Sequence, residues 1–233
     1  MKTFALLLFT IFLMSSIDQT SQQPALFYVH RAPTVKTSKP PLLILLHGTG
    51  SNEEDLFSFA DQLPEKFLVV SVRAPYTIEK GSYTWYELYF ENGKPISNNA
   101  QAEQSRTTIL EFIEQLKSKH AFDASQVYLC GFSQGGIMSY SVALTAPEKI
   151  KGIAIMSGRL LDDVKTRIAP KESLKNINIF IAHGTKDNVI NVQSARDAKA
   201  YLTELGLTPQ YKEYPEAHTI SREMFADLLK WLN

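Results

Sequence analysis

The chain has 233 residues, 24 basic and 24 acidic side chains, five histidines and one cysteine. Balanced charge leaves no long-range field to gather nucleic acid or an anionic membrane, which points to a small, mostly uncharged substrate, and the length suits one substantial core rather than two. Cys130 is alone, which excludes an intramolecular disulfide, and within the apolar run Val127 to Cys130 it reads as a buried, inert thiol.

In chain order, Lys2, the apolar run Phe4 to Met14 and the polar stretch SSIDQTSQQ come first, in the order of a secretory signal peptide. Eleven apolar residues cross only about half of a hydrocarbon core roughly 30 Å thick, so no stable membrane span is expected. Ser15, Ser16 or Thr20 would supply the small residues of a cleavage site, and an uncleaved N-terminal tether is the alternative. The expectation is a leader over residues 1 to 22, export to a periplasm or the exterior, and one domain over 23 to 233.

From residue 25 onward, short β-rich apolar runs alternate with stretches of helical period, the pattern of a mostly parallel sheet covered on both faces by helices. The expected strands are ALFYVH (25 to 30), PLLILLH (41 to 47), FLVVSV (67 to 72), QVYLCG (126 to 131), KGIAIMS (151 to 157), INIFIAH (177 to 183) and QYKEYP (210 to 215). Four of them, away from the two ends of the chain, are apolar on both parities, as strands buried on both faces must be. Ile109, Phe112, Ile113 and Leu116 recur at spacings of three and four, which predicts an amphipathic helix over about 100 to 119, and Met224, Phe225, Leu228, Leu229 and Leu232 repeat the pattern at the C-terminus. The stretch Tyr76 to Asn99, with Gly81, Gly93, Pro95 and several aromatics, interrupts the alternation as a long loop, and a loop of that length is usually functional.

The chemistry concentrates at GFSQGG (131 to 136), between strand QVYLC and the helical run IMSYSVALTAP. A Gly-x-Ser-x-Gly at a strand-to-helix junction is a nucleophile elbow: the serine occupies a strained turn, and flanking glycines remove side chains that would collide there. The turn lifts Ser133 Oγ off the sheet, and the following helix offers its positive end to developing negative charge.

A serine hydroxyl needs a base. His30 and His120 precede Ser133, one ending an edge strand and the other ending a helix where it can cap carbonyls. His183 ends strand INIFIAH and reads as a buried, hydrogen-bonded histidine, whereas His218, in the loop PEAH before the last helix, occupies the base's place in the order serine, acid, histidine. The acid belongs on a loop at the carboxyl end of a strand between them. Asp187 in HGTKDNVI meets that demand, with Asp162 and Asp163 after the preceding strand as competitors. An oxyanion hole needs two backbone donors: Gln134, after the nucleophile, and Thr49, in the Gly-rich turn LLHGTGSNEED that follows an early strand. His47 reads as a brace for that turn. No phosphate-cradling, dinucleotide or metal motif occurs, so no metal or organic cofactor is implied.

LLHGTGSNEEDL, RAPY (73 to 76), WYEL from Trp85, GFSQGG, HGTKDNVI and the His218 loop, in this order, resemble the phospholipase/carboxylesterase family of α/β-hydrolases, which includes acyl-protein thioesterases and small bacterial carboxylesterases. The resemblance covers about residues 25 to 233. It implies the α/β-hydrolase fold, Ser133, Asp187 and His218 as triad, Thr49 and Gln134 as oxyanion donors, and Trp85, Tyr86, Leu88 and Phe90 as substrate-pocket residues. The expected activity is hydrolysis of small or medium acyl esters. A lysophospholipase or acyl thioesterase on the same triad is the alternative, and a non-catalytic binding protein on the same fold is the reading from another class.

Overall fold

A computed structural model describes residues 25–92 and 94–233. The expected leader over 1 to 22 lies outside the described residues. Among those described, β1 (Tyr28–Arg31), β2 (Leu42–Leu46), β3 (Leu68–Val72), β8 (Val127–Phe132), β9 (Gly152–Met156), β10 (Asn178–Gly184) and β11 (Gln210–Tyr214) form one sheet in the order β1-β3-β2-β8-β9-β10-β11. Only β1 pairs antiparallel, with β3, and every other pairing is parallel. All seven expected strands therefore form, within a few residues of their expected limits. The strands β2, β3 and β9 are buried at every position, which explains why both of their parities are apolar.

Both faces are covered by helices. The first carries α2 (Asn99–Lys119), α3 (Gln134–Thr145) and α6 (Gln193–Glu204), while α1 (Glu53–Phe57) and α7 (Arg222–Leu232) pack on the other. Local chemistry starts and orients these helices. Asn98 caps α2 by accepting from Gln101 N–H, Lys117 and Lys119 sit at its negative end, and it buries Ile109, Phe112, Ile113 and Leu116, the stripe read from their spacing. Ser221 caps α7 by accepting from Met224 N–H, and Met224, Leu228 and Leu232 face the sheet. Two short helices, α4 (Asp162–Lys165) and α5 (Lys171–Leu174), fill the connection from β9 to β10.

The stretch from Tyr76 to Asn99 is not the loop that its glycines and proline suggested. It folds into two antiparallel hairpins, β4 (Tyr76–Glu79) with β5 (Ser82–Thr84) and β6 (Leu88–Glu91) with β7 (Lys94–Ser97). Neither joins the main sheet, and their largely exposed strands lack the apolar runs that marked the other seven. Each hairpin has a separate task at the site.

The strand order reverses between β2 and β8: the chain steps outward from β2 to β3 and later returns on β2's other side. Such a switch point opens a crevice beyond the carboxyl ends of parallel strands. Leu46 pairs with Gly131, Phe132 with Met156, and Gly184 with Tyr214, so the strand ends are level. Turns following β2, β8, β9, β10 and β11 thus converge on one edge of the sheet.

Candidate active site

At the end of β8 the backbone makes a turn that only close packing can hold. Ser133 has φ 52° and ψ −118°, a conformation costing a non-glycine residue about 1–3 kcal/mol. A Cβ on Gly131 would lie 2.2 Å from Gly135 C, and one on Gly135 would lie 1.9 Å from Leu46 O. The glycines therefore admit backbone against backbone: the first turn of α3 against its own strand, and α3 against the end of β2. The side chain of Gln134 holds the far side, its Oε1 accepting from Thr84 Oγ1 (2.9 Å) and Trp85 N–H (2.8 Å) and its Nε2 donating to Tyr86 O (2.7 Å). Two buried hydrogen bonds and one shared, since the single Thr84 hydroxyl proton also faces Tyr86 O at 2.7 Å, are at about 1 kcal/mol each of the same order as the strain at Ser133.

His218 Nε2 lies 2.9 Å from Ser133 Oγ, and its Nδ1 lies 2.7 Å from Asp187 Oδ2. A carboxylate only accepts, so Nδ1 carries the proton and Nε2 is left to accept from the serine. The ring rests against Phe132, 4.9 Å between centroids. Asp187 is buried, and its Oδ1 accepts from Val189 N–H at 2.9 Å and Ile190 N–H at 2.8 Å. Gly184 joins the two loops, because a Cβ there would sit 2.4 Å from Glu216 O, and Lys186 N–H donates to that same oxygen at 2.8 Å. The competitors Asp162 and Asp163 are committed elsewhere, to Lys165 and Arg167 on or next to α4.

His183 stands behind Asp187 rather than beside Ser133. Its Nε2–H donates to Ile190 O at 2.7 Å and lies 3.2 Å from Asp187 Oδ2, while its buried Nδ1 has no hydrogen-bond partner among the described residues. His183 is thus the expected buried, hydrogen-bonded histidine, bonded through one of its two ring nitrogens. The His120 ring meets no carbonyl among the described residues: its Nε2 meets Tyr28 Oη at 3.0 Å.

The turn after β2 is braced on three sides. His47 Nδ1–H donates to Gly48 O (2.7 Å) and its Nε2 accepts from Ala74 N–H (3.0 Å), a neutral pattern that agrees with burial lowering its pKa. Trp85 Nε1–H donates to His47 O at 2.9 Å. The β4–β5 hairpin clamps the rest through Gly50 N–H to Tyr83 O (2.9 Å) and Tyr83 N–H to Ser51 O (2.8 Å). Gly50 N–H is thus engaged, and Ser51 N–H donates to Gly48 O at 3.3 Å, whereas Thr49 N–H, like Gln134 N–H at the start of α3, has no hydrogen-bond partner among the described residues. A Cβ on Gly48 would lie 3.3 Å from Ser133 Cβ, which measures how closely this turn approaches the serine.

Ser133, His218, Thr49 and Gln134 open into a cavity of about 670 Å³. Tyr86, Leu88 and Phe90 line it, with Pro95 from the same β6–β7 hairpin. Trp85 does not. It is fully buried behind the wall, where its indole N–H is spent on His47, so its expected place in the pocket is corrected to a brace beneath it. Ile137, Val189 and Arg159 line the cavity without having been singled out in the sequence. Ile137 had a signal, being one helical turn beyond Ser133, whereas Val189 and Arg159 reach the site only through folding. Among the described residues no cluster of three or more His, Cys, Asp or Glu side chains could hold a metal ion, and no helix is long and apolar enough to cross a membrane.

The family model for phospholipases and carboxylesterases matches residues 32–233. The chain belongs to that family. Carboxylesterase SOBER1 of Arabidopsis thaliana is 27% identical over 164 residues, covering 68% of this chain and 71% of that protein. Acyl-protein thioesterase 1 of Neurospora crassa is 29% identical over 204 residues, covering 76% and 83%. In three dimensions the chain superposes on a Bacillus cereus carboxylesterase with a TM-score of 0.79 at 21% identity, over 91% of this chain and 95% of that one, a likeness of fold. Like the phospholipase/carboxylesterase family at large, the protein is an α/β-hydrolase acting on ester bonds.

Proposed function

We propose that the protein is a serine carboxylesterase for small or medium acyl esters, with Ser133 as nucleophile, His218 as general base and acid, and Asp187 as the carboxylate that orients His218. The unbroken relay from Ser133 Oγ through His218 to Asp187 Oδ2, with contacts of 2.9 and 2.7 Å, carries this reading. Ser133 Oγ attacks the ester carbonyl as its proton passes to His218 Nε2, and Asp187 stabilises the imidazolium. The tetrahedral oxyanion is received by the two unengaged N–H groups of Thr49 and Gln134. Collapse expels the alcohol, which takes the proton from Nε2. A water molecule then gives a proton to the same nitrogen and attacks the acyl-enzyme, releasing the carboxylic acid and restoring Ser133.

A second reading, a lysophospholipase or acyl thioesterase on the same residues, is supported by the apolar groups around the cavity, where Leu88, Phe90 and Val189 are 41%, 73% and 67% exposed. A series of p-nitrophenyl esters from acetate to palmitate, with a lysophospholipid and an acyl thioester, separates the two. The carboxylesterase reading expects kcat/KM to peak at acyl chains of about two to eight carbons, and a maximum at palmitate or on the thioester would replace it.

The order Lys2, Phe4 to Met14, then a polar stretch supports export by a cleaved leader. The intact mass of protein recovered outside the cytoplasm should lack the first 22 or so residues. A chain that keeps Lys2 would instead be tethered.

A further inference from the structure

Among the described residues, one permanent charge lines the cavity. Apart from His218, every other side chain lining it is apolar or an uncharged polar group, and the exception is the half-buried Arg159. Its Nη2 donates to Ser97 Oγ on β7 at 2.9 Å, a neutral acceptor that uses one of five guanidinium donors. Of the other arginines, Arg73, Arg106, Arg167 and Arg196 each meet a carboxylate, Arg31 donates to the backbone carbonyls of Leu63, Pro64 and Phe67, and Arg222 is exposed to solvent. Arg159 meets no carboxylate within ion-pair distance among the described residues. The nearby Asp162 feels its charge but is bonded to Lys165 at 2.8 Å.

The turn that delivers Arg159 is costly to make. Ser157, buried at the end of β9, has φ 54° and a hydroxyl without a hydrogen-bond partner among the described residues. A Cβ on the following Gly158 would lie 2.8 Å from Ile155 Cγ2. Strain of about 1–3 kcal/mol and an unsatisfied hydroxyl at buried Ser157 thus lie two residues before a partly desolvated cation that reaches the cavity. A cation held in that way, in a chain with no net charge, fits a ligand that brings the missing negative charge.

We propose that Arg159 selects esters that themselves carry an anionic group, held against the β6–β7 side of the cavity while the scissile carbonyl lies at Ser133. The proposal rests on the esterase reading above. It also refines the expectation of an uncharged substrate, since an overall balance of charge says nothing about one unpaired guanidinium inside a pocket.

Matched ester pairs differing only in charge test it. On the acyl side the pair is the p-nitrophenyl monoester of glutaric acid and its methyl-capped form; on the alcohol side it is 4-acetoxybenzoate and its methyl ester. The native enzyme should favour the anionic member of one pair by about tenfold or more in kcat/KM, and the pair that responds shows which part of the ester bears the charge. Arg159→Met should bring that ratio to about one, Arg159→Lys should keep most of it, and Ser97→Ala, which leaves the charge in place, should keep it too. Native enzyme that turns over neutral esters with no preference for charge overturns the proposal, as does Arg159→Met with an unchanged ratio. If Arg159→Met does not fold, the native ratios and the lysine variant decide. Failure to hydrolyse any of the four esters, together with no labelling of Ser133 by a fluorophosphonate, would instead defeat the esterase reading.

Discussion

Ser133→Ala is expected to lower kcat on p-nitrophenyl esters by on the order of 10⁶-fold and to abolish covalent labelling by a fluorophosphonate. The expectation follows from the relay, because no other hydroxyl lies within hydrogen-bond distance of His218 Nε2 among the described residues. Ser157, the other strained serine near the strand ends, has no hydrogen-bond partner for its hydroxyl among the described residues and should remain unlabelled. The backbone supplies a second readout. At φ 52° an alanine keeps the strain of the native serine, whereas a glycine relieves it, so Ser133→Gly should be equally inactive yet melt at a higher temperature than Ser133→Ala. Labelling that persists in Ser133→Ala would remove Ser133 from the role of nucleophile.

Asp187→Asn should cost about 10⁴-fold in kcat while leaving the fold intact. Two backbone donors, Val189 and Ile190 N–H, point at the position of Oδ1, so the amide oxygen of the substituted side chain settles there and its NH₂ group replaces Oδ2. That NH₂ then faces His218 Nδ1, which must give up its proton to accept, and the proton moves to Nε2, the nitrogen that should accept from Ser133. The variant is thus held in the wrong tautomer rather than merely loosened. Asp162→Asn and Asp163→Asn, whose native carboxylates pair with Lys165 and Arg167, should change kcat less than about threefold. Kinetics in which Asp187→Asn is unaffected and either of the other two is crippled would transfer the orienting role to α4.

The readings that could be made without a structure share a physical property: they depend on residues adjacent in the chain or spaced at a fixed period. Strands buried on both faces must be apolar at both parities, so β2, β3, β9 and β10 were visible in composition alone. The turn at Gly131 to Gly135 was visible because steric exclusion acts over a few residues, although what the glycines make room for, the backbones of β2 and of α3 itself, was not. The hairpins of residues 76 to 97 are not legible in the sequence, because short exposed strands have no hydrophobic period.

By itself the amino-acid sequence determined the alternation of strands and helices, the strained serine turn, and the chain order that singled out His218 and favoured Asp187, since each follows from local sterics, hydrophobic period or the position of a loop after a strand. Only the tertiary structure decided which partners those residues meet. It gave Asp187 rather than Asp162 or Asp163 to His218, turned Trp85 away from the cavity to brace His47, tied the side chain of Gln134 to residues 84 to 86, and set Arg159 at the cavity wall against Ser97 with no carboxylate partner among the described residues. Those contacts join segments tens of residues apart, and neither period nor propensity encodes them. They arise when parallel strands bring their carboxyl ends level at the switch point between β2 and β8, and the loops beyond them must share one crevice.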